Sequence, residues 1–177
     1  MTTVMRRGAG WAAGEPWPFR DRLRIAPVDP TDLDALLAML ARCTPETLRR
    51  RFHGFTDGVA YTRAQVRTSD DRIAVGAWTG QACVGVADLV GGVPGPWHLS
   101  VLVEDSWQRQ GIGNLLVSHL VRRARAAGVR RLRADLSGDD ALLAGMIRRI
   151  GPSQISLDSG TITVEVDLTM VELRPAG

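Results

Sequence analysis

Between residues 22 and 168 the apolar positions switch period several times, from two to between three and four and back. Arg22 to Val28 places Leu23, Ile25 and Pro27 on one face, as a strand would. Pro30-Thr-Asp opens a helix in which Leu33, Leu36, Leu37 and Leu40 recur at helical spacing up to Cys43. Thr44-Pro-Glu restarts a short helix, with Thr44 as N-cap and Pro45 in the first turn. It carries Leu48, Arg49, Arg50, Arg51 and Phe52 and ends near Gly54. Residues 56 to 70 read as a loop with one further helical turn around Ala64 to Arg67.

Three strand-like segments follow. Arg72 to Thr79 and Cys83 to Val90 flank Gly80-Gln81 and form a hairpin; Trp97 to Val103 comes after a Gly/Pro loop from Gly91 to Pro96. Asp105 to Gln110 is polar loop. Ile112 to Ala127 has Ile112, Leu115, Leu116, Leu120 and Ala124 on one helical face, and Gly128 is its stop. Arg130 to Leu136 alternates Leu132, Ala134 and Leu136 against Arg131, Arg133 and Asp135, a strand. Asp139-Asp140 starts a helix through Leu142, Leu143, Met146, Ile147 and Ile150, with Gly151 as its stop; Ile155-Ser-Leu, a turn at 158–160 and Thr161 to Leu168 make a closing hairpin.

The order is strand, two helices, three antiparallel strands, helix, strand, helix, two strands. It predicts an α/β (α+β) domain: a mixed, mostly antiparallel sheet of six to seven strands with four helices. The step from residue 97 to 136 needs a parallel, right-handed crossover. Residues 1–20 read as a flexible arm that Trp11 or Trp17 could tether, 21–170 as one domain and 171–177 as a tail.

Length and composition allow one globular domain with a real core: of 177 residues 45% are hydrophobic and 23% charged. No apolar run approaches the ~18–20 residues that span a bilayer. Arg6 and Arg7 are followed by no apolar stretch, unlike a secretory signal, so a cytoplasmic protein is expected, without a membrane partner. Cys43 and Cys83 belong to no metal-spaced cluster, no metal is expected, and two thiols make no disulfide framework. Every basic side chain is Arg and none is Lys, so the protein has no lysine side chain of its own to acetylate. A net charge of +3 suits an anionic ligand and is too small to argue for nucleic acid.

The segment Val101-Leu-Val-Glu-Asp-Ser-Trp-Gln-Arg-Gln-Gly-Ile-Gly-Asn114 carries the most chemistry. A strand runs into a loop with Gln108, Gly111 and Gly113, and a helix begins at about Ile112. The loop's N–H groups and the first N–H groups of the helix converge on one spot, which the helix dipole makes favourable to an anion. Without a Cβ, Gly111 and Gly113 let a phosphate approach the backbone. The residues alone equally allow a tight loop and nothing more. They match neither a Walker loop, for lack of Lys-Ser/Thr, nor the dinucleotide fingerprint, for lack of a third glycine.

Gln108-Arg-Gln-Gly-Ile-Gly113 resembles the Gln/Arg-x-x-Gly-x-Gly/Ala signature of the GNAT N-acetyltransferases. Ser100 to Gln108 is similar to that family's fourth strand and its exit, and the order of elements over 22–168 also matches. The resemblance implies the GNAT acyl-CoA N-acyltransferase fold and acetyl-CoA as cosubstrate. The pyrophosphate would rest on Arg109, Gln110, Gly111, Ile112, Gly113 and Asn114, and the pantetheine arm along Val101, Leu102 and Val103. The fourth strand would splay from Arg130–Leu136, the amine would attack the acetyl carbonyl directly, and an N–H near Leu102 or Val103 would hold the oxyanion. Thr44-Pro-Glu-Thr-Leu-Arg-Arg-Arg-Phe52 further resembles a segment of the bacterial protein-lysine acetyltransferase branch, with His53 where a second aromatic is usual.

His98 and Glu104 are the catalytic candidates. His98 stands where the lysine-acetylating branch carries a Glu, and imidazole titrates near neutrality, as a base for an amine should. The same His could equally be a strand-end side chain in solvent. Glu104 and Asp105 could polarise a water near the acyl group or simply be turn residues, and His119 reads as a packed or rim residue of the long helix. The family's acid, a Tyr on the last helix, has no counterpart in residues 139–151; the chain's one Tyr is Tyr61. Two functions remain: an acetyl-CoA-dependent N-acetyltransferase acting on a small-molecule or protein amine, protein lysine included, and a GNAT-fold module that binds acyl-CoA to regulate or scaffold a partner. A partner-binding domain without CoA is a third. Monomer and homodimer are both open.

Overall fold

The computed structural model describes residues 23–52, 58–66, 69–91, 95–137, 141–158 and 161–169. The expected arm, the C-terminal tail, Gly54, Asp139 and Asp140 lie outside these. The strands are β1 (Leu23–Pro27), β2 (Arg72–Thr79), β3 (Ala82–Val90), β4 (Trp97–Val103), β5 (Arg131–Ser137), β6 (Ser153–Asp158) and β7 (Thr161–Asp167). The helices are α1 (Leu33–Arg42), α2 (Pro45–Phe52), α3 (Gly58–Gln65), α4 (Ile112–Ala126) and α5 (Ala141–Arg148). The strands form one seven-stranded sheet in the order β1-β2-β3-β4-β5-β7-β6. Within it only β4 and β5 run parallel.

The described residues contain five α-helices where the sequence pattern predicts four. The addition is α3, expected as loop with one later turn. Its sequence, GVAYTRAQ, has little amphipathic pattern, and a helix of eight residues needs tertiary support. That support comes from buried Thr62 and from Tyr61, whose hydroxyl donates to Asp88 on β3 at 2.7 Å.

Two apolar clusters sandwich the sheet. On one face α4 lays Ile112, Leu116, Val117, Leu120, Val121 and Ala124 against the strands, with Ile147 of α5 beside them. On the other, Leu36, Met39 and Leu40 of α1 meet Trp78, Val86 and Leu102. The expected face of α4 therefore gains Val117 and Val121, while Leu115 is only half-buried. Gly128 ends this helix as expected, at φ 80°. The N–H of Val129 donates to the Ala124 carbonyl and that of Gly128 to Arg125, a Schellman-type stop that also buries Val129. No described helix is long and apolar enough to cross a membrane.

Candidate active site

β4 alternates its side chains between the two clusters. Trp97, Leu99, Val101 and Val103 face α4, and Leu102 faces α1. Its backbone is shared unevenly. Six residues pair with β3, from Val90↔His98 to Gly85↔Val103. Only two pair with β5, Trp97↔Leu132 and His98↔Arg133. Beyond that rung β4 and β5 no longer pair, which opens a gap between them on the Val103 side.

The ladder's alternation decides which groups face the gap. The Glu104 N–H donates to the Val84 carbonyl at 3.0 Å. Counting back by twos, Leu102 and Ser100 also turn their N–H and C=O to β3, whereas Val101 and Val103 turn theirs to the gap. The expectation for Leu102 is thus corrected: its backbone is committed to β3 and its side chain to the α1 cluster. The Val103 carbonyl is occupied too, by Gln108 Nε2 at 2.9 Å. Gln108 also reaches Thr47 Oγ1 at 3.3 Å, so it ties the loop to α2 and to the strand end.

The loop ends at the N-terminus of α4. Gly111 is the N-cap at φ 80° and ψ 0°, with no side-chain cap, and its carbonyl accepts the first helical bond from Leu115. Arg109 is also left-handed, at φ 62°, a conformation that costs a non-glycine residue about 1 kcal/mol. Among the described residues no acceptor takes the N–H groups of Arg109, Gly111, Ile112, Gly113 or Asn114. These orphan donors, at the positive end of a fifteen-residue helix and the mouth of the gap, suit a diphosphate. Gly113 also has a neighbour that the sequence does not suggest. A Cβ there would lie 2.9 Å from the terminal methyl of Met146, so the glycine lets α5 close on α4.

His98 sits on the last β4–β5 rung, more than half exposed, with Nδ1 3.7 Å from Asp135 Oδ2. Asp135, on β5, also accepts from Arg133 Nε at 3.0 Å and Thr163 Oγ1 at 2.7 Å. Burial pushes its carboxyl up, but those bonds and the charges of Arg133 and His98 outweigh it and hold the carboxyl below its ordinary value. Past Asp135 the open sheet face forms a groove of about 620 Å³ lined by Arg133, Ser156, Asp158, Thr161 and Glu165. The sequence flags Asp135 only as the outward member of an alternation; nothing in it announces a partner on another strand.

Glu104 is placed elsewhere. It is 8% exposed, with Oε2 accepting from Arg42 Nε at 2.9 Å and Oε1 from Ser106 at 2.8 Å. The structure commits it to holding α1 against the β4 exit. Asp105 accepts from the Thr44 N–H and hydroxyl and from the Thr47 hydroxyl, each at 2.8 Å, and so anchors the start of α2. Burial raises its carboxyl, yet these donors bring it below the ordinary value. His119 is a rim residue in contact with Arg122, lowered by burial first and by that charge second, and lies midway along α4, two turns from Gly111. Cys43 and Cys83 are free and buried, and burial drives their thiols up to about 11 and about 12. Among the described residues no three His, Cys, Asp or Glu side chains are grouped as a metal site requires.

One cluster escaped the sequence reading. Asp88 is fully buried and accepts from Arg51 at 3.1 Å, Arg72 at 3.2 Å, Tyr61 and Ser100. Both guanidinium groups lie over the Tyr61 ring, at 4.6 and 5.4 Å. Burial first, and then the Asp88 charge, raise the Tyr61 hydroxyl. Tyr61 therefore belongs to the α1–α3 face of the sheet.

The family model of the acetyltransferase (GNAT) family matches residues 33–151. The chain belongs to the GNAT family. Its fold is similar to the GNAT domain of S. lividans PAT, at TM-score 0.72 and 19% identity over 82% of this chain and 90% of that one. It is similar also to the ribosomal-protein-S18-alanine N-acetyltransferase of Escherichia coli, at TM-score 0.65 and 17% identity over 85% and 96%. The PaiA N-acetyltransferase of Thermoplasma acidophilum in complex with coenzyme A matches at TM-score 0.60 and 13% identity over 82% and 98%. No curated protein matches this GNAT chain by sequence. Membership makes acyl transfer from an acyl-CoA its general chemistry.

Proposed function

We propose that this GNAT protein transfers the acetyl group of acetyl-CoA to a primary amine, protein lysine among the candidates, with His98 as the base. The observation that supports it best is the parting of β4 from β5 immediately beyond His98, in front of a row of unpartnered amides. Arg109, Gln110, Gly111, Ile112, Gly113 and Asn114 hold the pyrophosphate, and Val101 and Val103 face the pantetheine arm. Acetyl-CoA supplies the activated thioester. Asp135 faces Nδ1 of His98, which leaves Nε2 to take the proton of the attacking amine. Exposure of His98 gives the acceptor access to it. The N–H groups of Val101 and Val103 are the gap-facing donors available to the carbonyl oxygen. Glu104 and Asp105 act by holding α1 and α2 against this end of the sheet.

A second reading, an acyl-CoA-binding module without turnover, is favoured by one feature: the chain's only Tyr lies in the buried Asp88 cluster, and α5 presents none to protonate a departing thiolate. Thiol release from acetyl-CoA, measured over a panel of amines and lysine peptides, separates the two. Turnover on at least one amine is expected; calorimetric binding without turnover on any would favour the module. Asn114→Glu adds a carboxylate to the first turn of α4, where it stabilises the helix yet repels a diphosphate. It should weaken CoA binding at least about tenfold without lowering the Tm; unchanged affinity would remove the loop from the site.

A further inference from the structure

The two edges of the sheet are finished differently. β1 carries Arg24 and ends in Pro27, features that discourage another strand from pairing. β6, at the other edge, is exposed at five of its six residues and contains no proline and one charge, Asp158. Ile155 and Leu157 on it are 49% and 72% exposed, among the most exposed large apolar residues described. They pair with Val164 and Ile162 of β7 and so continue the apolar face that α4 and α5 cover farther in.

Backbone phase and side-chain phase coincide on this strand. The Asp167 N–H donates to the Pro152 carbonyl, which makes Gln154, Ser156 and Asp158 the β6 residues bonded to β7. Ser153, Ile155 and Leu157 therefore turn their N–H and C=O outward. The residues with unpaired outward amides include the two with exposed apolar side chains.

We propose that a second copy of this chain pairs antiparallel with β6 about a two-fold axis at Ser156, joining the two sheets edge to edge. In that register Ile155 of each copy lies opposite Leu157 of the other, as a hydrogen-bonded pair. Ser156 meets its own equivalent, and Asp158 faces Gln154, so no like charges oppose each other. A register shifted by one residue would break both phases. The polar face of the partner's strand then extends the groove that Ser156 and Asp158 line beside Asp135, so that, on the acetyltransfer reading, both copies border the approach to His98. A six-residue strand pair buries less than the ~1,600 Å² of a standard stable interface, so a weak, concentration-dependent dimer is expected.

The test is sedimentation equilibrium of the full chain between about 1 and 300 µM, with disulfide trapping. A concentration-dependent dimer is expected, and Leu157→Lys, an exposed position, should return it to monomer without lowering the Tm. Ser156→Cys should cross-link on mild oxidation, because directly opposed strand residues of this type have Cα atoms about 4.5 Å apart. Gln154→Cys should not, and the buried Cys43 and Cys83 give no background. A monomer throughout, a dimer indifferent to Leu157→Lys, or trapping at 154 in place of 156 would each overturn the proposal. None of these readouts depends on turnover, so their failure is distinct from failure of the acetyltransfer reading.

Discussion

Nδ1 of His98 and Oδ2 of Asp135 stand 3.7 Å apart across the last rung that joins β4 to β5. The imidazole thus sits at the apex of the gap, beside a carboxylate that Arg133 and Thr163 hold in place. His98→Ala should lower kcat by about 10²–10⁴-fold, the usual contribution of a general base, with the KM for acetyl-CoA nearly unchanged. Asp135→Asn should give a smaller fall confined to kcat. Steady-state kinetics with a responsive amine checks both, and full turnover by His98→Ala would remove the base assignment.

Asp105 couples the β4 exit to α2 through three hydrogen bonds. Its carboxyl is held below the ordinary value in the folded protein, so its stabilising contribution is complete above the unfolded value of about 4. That contribution is lost as the pH falls through the lowered folded value. Asp105→Ala should cost about 1–3 kcal/mol at pH 7 and make stability less steep in acid than in wild type. Urea unfolding from pH 3 to pH 7 reads this directly; parallel curves would contradict it.

Asp88 is the buried partner of two arginines, themselves 9% and 13% exposed. Removing the carboxylate takes the Asp88 anion from two buried guanidinium groups, so Asp88→Ala should cost about 3–5 kcal/mol. Asp88→Asn keeps an acceptor for Tyr61 and Ser100 and should cost less. Thermal and urea denaturation rank the two, and equal loss in both would show that the charge is unimportant.

Gly113 and Met146 meet where α4 begins and α5 passes over it. Alanine favours a helix over glycine by about 1 kcal/mol, but its Cβ at 113 would lie 2.9 Å from the Met146 methyl. Gly113→Ala alone should be close to neutral. In a Met146→Ala background the same change should stabilise by about 1 kcal/mol. A double-mutant cycle measures this coupling, and additivity would rule out the contact.

The strands, α4 and its stop at Gly128 were legible because they rest on local chemistry: side-chain period, turn residues, and a glycine free to take positive φ. The loop with unaccepted N–H groups was legible for the same reason, since strand, glycines and helix start are contiguous. α3 was not, because GVAYTRAQ is helical through what Tyr61 and Thr62 bury against. Nor was the packing of Gly113 against Met146, which belongs to another helix.

By itself, then, the sequence determined the strands and every helix but α3, and that one corner would leave backbone N–H groups without acceptors; each is settled within a few neighbouring residues. The tertiary structure alone determined that β4 and β5 part after His98, that Asp135 backs that histidine, that Glu104 is spent on Arg42, and that Asp88 gathers two arginines. Those outcomes depend on which distant strands and helices come into register, and short-range pattern along the chain does not encode it.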